Sequence, residues 1–136
     1  MEEARPSRRI VAQRVRNRII EYLELAASFE DQITYQRNAP NISVPNEVIN
    51  QWEDWNSTDP REHWTSPEGV YTPEEVEAVQ SFHTTWEHVA DGTPDPLPEL
   101  EATQRLAEWD ELRRAARSAL DVFAYRGPLP EDRELV

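Results

Sequence analysis

Residues 7 to 37 form a stretch in which apolar side chains recur at helical spacing with no Gly or Pro to interrupt them. Counting from Ala12, the seam continues through Val15, Ile19, Tyr22, Ala26, Phe29 and Ile33, in alternating steps of three and four. Such spacing keeps one face toward a partner over several turns. Ile20 and Leu23 widen the seam into the broad face of a globular bundle helix. Ser7 is a plausible cap, and Asn38 followed by Ala39-Pro40 closes the stretch. The pattern predicts one long helix over about 7–37.

The same reasoning places three more helices. Val48, Trp52 and Trp55 share one side of a short helix over about 45–55, with Pro45 in its first turn. Thr72-Pro73-Glu74-Glu75 is the clearest local signal: a capping threonine, a first-turn proline and a Glu three residues after the cap. It starts a helix over about 73–90 that Asp91-Gly92 ends. Leu106, Trp109, Leu112, Ala116, Ala119 and Phe123 stripe a last helix, placed over about 96–126 and stopped by Gly127-Pro128. The two long helices would each span about 45 Å at 1.5 Å per residue. No segment alternates as a strand would. The expected fold is therefore all-α, a single helical domain over 1–136, with 1–6 and 128–136 as loose tails. One shared core is expected to hold Ile19, Phe29, Val79, Trp86, Trp109 and Phe123.

Charge matters next because of its distribution. All fourteen basic residues are Arg, against 27 acids, for a net charge of -13. Residues 1–40 and 102–136 are each nearly balanced, whereas residues 41–101 hold Arg61 alone against fourteen acids. Arg8, Arg9, Arg14, Arg16 and Arg18 crowd the first half of a helix, where cations oppose the macrodipole. Pairing with the acidic middle of the chain is the preferred account. In an up-down bundle the start of the first helix, the end of the last and the loop entering the third meet at one end. A nucleic-acid stripe is the alternative, and it fits poorly in an acidic domain.

Catalytic constellations are mostly missing. The glycines stand alone at 69, 92 and 127, so no phosphate-cradling loop is present. Without Lys or Cys the chain has no Schiff base, Walker lysine, thiolate or disulfide. His83 and Glu87 stand four apart on one helix, and His88 and Asp91 three apart. His83, between Val79 and Trp86, reads better as a hydrogen-bonded core residue than as a ligand. No cofactor and no metal are expected.

These observations point to a small acidic, non-enzymatic protein-interaction module, such as an adaptor, inhibitor or immunity-type protein. A structural or self-assembling bundle is the alternative, and a small-ligand-binding or enzymatic bundle stands third. The expected partner is another protein, basic in character, with homo-oligomers left open and neither nucleic acid nor membrane involved. With no cysteine, no apolar leader and no run near the ~20 residues of a membrane span, the expected location is the cytoplasm. The candidate partner-binding residues are Trp52, Trp55 and Trp64 with Glu53, Asp54, Asp59 and Glu62. They combine large aromatics, which dominate interface hot spots, with rim charge that sets attraction and register. Salt adaptation, with a loop pinned by Trp64, would account for the same residues without a site.

Overall fold

The computed structural model describes residues 7–55 and 70–135, apart from the side chain of Trp55. The described chain is helical, with no strand: α1 (Arg8–Ala26), α2 (Phe29–Asn38), α3 (Val44–Trp55), α4 (Pro73–Gly92), α5 (Leu100–Thr103) and α6 (Ala107–Ala124). The expected all-α class is what the chain adopts.

The long helix expected over 7–37 is two helices. Ser7 caps α1 by accepting from the Ile10 N–H at 3.2 Å, but the helix stops at Ala26 although the apolar seam continues. A helix end leaves carbonyls without intrahelical partners. Gln32, one turn into α2, reaches back with Nε2 to Leu25 O (3.1 Å) and Ala26 O (3.4 Å). Ser28 restarts the helix by accepting from the Asp31 N–H at 3.0 Å. The Gln32 side chain is fully buried, and its Oε1 accepts from Trp109 Nε1 at 3.1 Å and Gln104 Nε2 at 3.3 Å. One amide thus ties the α1–α2 corner to the start of α6.

The helix expected over 96–126 is likewise divided. Pro96 and Pro98 disfavour helical backbone at the residues before them, and Thr103 Oγ1 anchors the start of α5 by donating to Pro98 O at 2.8 Å. Leu106 is extended (φ -72°, ψ 139°), which separates α5 from α6. The Thr72 capping box forms in full, with Thr72 Oγ1 accepting from Glu75 N and Glu75 Oε1 accepting from Thr72 N.

α6 runs antiparallel to α4: Arg126 reaches Glu75 at one end, and the Cβ position of Gly92 lies 3.8 Å from Glu108 at the other. It is antiparallel to α1 as well, since Arg16 meets Phe123 and Gly127 while Gln32 meets Trp109. α3 lies across α1 and α4. Tyr22 donates to Val48 O at 2.7 Å, and Trp52 packs edge-on to Phe82 with centroids 4.8 Å apart. Ile19, Val79, Trp109 and Phe123 are buried in one cluster, and Phe29 and Trp86 pack against it partly buried.

Residues 128–135 are not a loose tail. Leu129 is buried, and the segment lies along α1 through hydrogen bonds to Gln13, Arg14 and Asn17. The expected lead-in, residues 1–6, lies outside the described residues.

Candidate functional site

Glu75 lies where the start of α4, the first half of α1 and the end of α6 meet. Its carboxylate accepts from Arg16 Nε (3.1 Å) and Nη2 (2.7 Å) and from Arg126 Nε (3.0 Å). Arg16 is fully buried, donates also to Gly127 O at 2.7 Å, and lies over the Phe123 ring at 5.0 Å. Arg126 donates to Val70 O at 2.8 Å. Burial pushes the Glu75 carboxyl up, but the hydrogen bonds from Arg16 and Arg126 outweigh it and hold it below the usual carboxylate range. Tyr71 stands beside this network, edge-on to Phe123. Its hydroxyl is buried with no hydrogen-bond partner among the described residues, and burial pushes its ionisation up.

The meeting of chain ends expected from the sequence is present, but several other arginines of α1 and α6 find partners elsewhere. Arg113 and Arg114 bond to Asp110 on their own helix, and Arg117 lies 3.5 Å from Asp121. Arg14 donates to the Glu131 carbonyl, and Arg18 pairs with the Glu131 carboxylate. Only Glu75 of the acidic middle segment joins an arginine of α1 or α6 among the described residues.

α3 and α4 are consequently left with charge of one sign. Together they carry Glu47, Glu53, Asp54, Glu74, Glu75, Glu77, Glu87 and Asp91, with no Arg or Lys. Glu53 and Asp54 are exposed and make no ion pair among the described residues. The two helices are joined by aromatic and imidazole contacts. Trp52 Nε1 donates to His83 Nδ1 at 2.9 Å, His83 Nε2 lies 2.6 Å from Glu87 Oε1, and Trp86 Nε1 donates to Ile49 O at 3.2 Å. His83 also stacks on Trp86, with centroids 5.6 Å apart. With Nδ1 accepting and Nε2 facing a carboxylate, this network assigns the Nε2–H tautomer. Both ring nitrogens are committed, so His83 serves as a bridge between helices and not as a base.

Trp52 was expected on a partner-facing surface, and the structure corrects this. The ring is fully buried between Tyr22, Phe82 and His83. Helical spacing put it on the same side as Val48, which is also core, and burying an indole with its N–H satisfied is favourable. Glu53 and Asp54 do lie on the outer side of α3. The Trp55 side chain, Asp59, Glu62 and Trp64 lie outside the described residues.

A second feature, missed in the sequence, is a cleft of about 860 Å³ beside α2. Ile33, Pro40, Ile42, Leu97 and Pro98 supply its apolar lining, and Ile33 and Ile42 are 43% and 40% exposed. Gln36 lines it too, but that amide holds the α2–α3 turn by donating to Ala39 O and Ile42 O and accepting from Val44 N. Among the described residues no three His, Asp or Glu side chains are grouped to hold a metal ion. No helix there is long and apolar enough to cross a membrane. The chain matches no known protein family, no curated protein and no solved structure.

Proposed function

We propose that the protein is a cytoplasmic, non-enzymatic interaction module that docks a basic partner protein on the outer face of α3 and α4. One observation carries this reading: apart from Glu75, the carboxylates of α3 and α4 meet no arginine among the described residues. A field of one sign steers a partner of the other sign and sets register, while binding strength comes from the apolar contacts it encloses. The test is capture at low and at physiological salt, comparing the unmodified chain with a Glu53→Gln, Asp54→Asn variant. Support requires a basic protein retained by the first and lost by the second, with equal melting temperatures. Equal capture by both chains would remove the α3–α4 face from the account.

The cleft beside α2 supports a second reading, binding of a small apolar ligand, since its volume falls within the roughly 300–1,000 Å³ of ligand sites. A ligand-induced rise in melting temperature that Ile33→Asp abolishes would favour it over partner docking.

A further inference from the structure

The C-terminal segment is held on α1 in an unusual way, mostly by its backbone. Gln13 is fully buried, and both ends of its amide go to this segment: Nε2 donates to Pro130 O (2.7 Å) and Arg133 O (2.9 Å), and Oε1 accepts from Leu135 N (2.9 Å). Asn17, 5% exposed, forms a two-point amide pair with Leu129, donating to its carbonyl and accepting from its N–H, both at 2.8 Å. Arg14 Nε donates to Glu131 O at 2.8 Å. Three side chains of the segment are also recognised: Glu134 accepts from Ser7 Oγ at 3.0 Å, and two others lie further in. Leu129 is the buried apolar anchor, and the Glu131 carboxylate takes Asn17 Nδ2 at 2.9 Å together with Arg18.

We propose that this face of α1 is a binding site for a short acidic peptide that bends around Gln13, and that residues 127–135 occupy it in cis. Amides that pair with main-chain N–H and C=O groups recognise a backbone path whatever its side chains, and at Leu129 the pairing has the two-point form by which a strand is recognised at a sheet edge. Specificity comes from an apolar residue followed two positions later by a carboxylate, the spacing of Leu129 and Glu131. Gly127, at φ +71°, makes the reversal that lays the segment back on α1. The face is built for an occupant. Two buried amides lose their partners when it is bare, Arg14 loses the Glu131 carbonyl, and Arg18 keeps only Glu21 of its two carboxylate partners. A partner presenting the same pattern displaces the segment, against an effective concentration that for short tethers is on the order of millimolar. This site lies on a different helix from the α3–α4 face and stands or falls separately.

The test uses the full chain and a fluorescein-labelled peptide with the sequence of residues 127–135. Leu129→Ala with Glu131→Gln in the chain weakens the cis occupant and leaves α1 intact. Anisotropy is expected to show saturable binding at least tenfold tighter than to the unmodified chain. Adding Asn17→Ala to that variant should abolish it, and a peptide carrying the same two substitutions should bind at least tenfold more weakly. A second measurement needs no variant: excess peptide should speed hydrogen exchange at the Leu129 and Leu135 amides of the unmodified chain and leave α4 unchanged. Equal affinity for both chains, or exchange unaltered at millimolar peptide, would overturn the proposal.

Discussion

Along α1, α6 and residues 127–135, cations and carboxylates pair with one another, within a helix at Asp110 and between elements at Glu75 and Glu131. Along the outer side of α3 and α4, carboxylates stand in solvent, and the contacts that fix these helices are Trp52, Trp86 and His83. Both regions belong to the same acidic chain, so overall acidity does not explain the difference. Charge serves as internal structure in the first region and remains available to another molecule in the second. Taking charge away should therefore cost stability on one side and leave it untouched on the other.

The largest effect is expected at Glu75. Replacing it with Ala leaves the buried Arg16 uncompensated and breaks the cap of α4, at a cost of about 3–5 kcal/mol in chemical denaturation. A loss below about 1 kcal/mol would erase the distinction between the two regions. Trp52→Ala should cost a similar 3–5 kcal/mol, because the ring is core. An unchanged midpoint would return it to the surface role first expected of it.

Acid should reproduce part of the Glu75 loss. The folded carboxyl titrates below its ordinary value of 4.5, so its contribution is fully present above about pH 4.5. That contribution fades as the pH falls through the lower folded value. Denaturation at pH 7 and pH 3 should show the loss, and Glu75→Gln should remove its share. Asn17→Ala, which leaves both backbone groups of Leu129 unpaired, should cost about 1–3 kcal/mol. At the small end, Glu53→Gln with Asp54→Asn should shift stability by no more than about 0.5 kcal/mol, as read by thermal melting.

Legibility in the sequence followed the range of the interactions. The cap at Thr72, the stop at Gly92 and the seams of α3, α4 and α6 are set by neighbours three or four residues apart, and the expectations agreed with the structure there. The break at Ala27 had a local sign that the continuous seam concealed: Ser28 followed by Asp31 is a helix start, and it lay inside an apparently unbroken stripe. What stabilises the break is Gln32, whose partners Gln104 and Trp109 lie more than 70 residues away. The docked segment had little side-chain signal, because Gln13 contacts only main-chain atoms and Asn17 mostly does, and any sequence supplies those. Trp52 failed for another reason: an aromatic at helical spacing serves a core and an interface equally well. Separating the two requires knowing what lies opposite.

The pairing of α1 with residues 127–135 has a consequence for biosynthesis. Gln13 and Asn17 emerge from the ribosome well before the backbone groups that complete them, which come 112 to 122 residues later. At about 5–20 residues per second the delay is on the order of ten seconds. Throughout that interval the first helix carries two amides and an arginine-rich side with their eventual occupant not yet made. A nascent chain stalled before residue 127 should accordingly be the form most open to chaperones and to stray acidic segments, and emergence of residues 127–135 should close that window in one step.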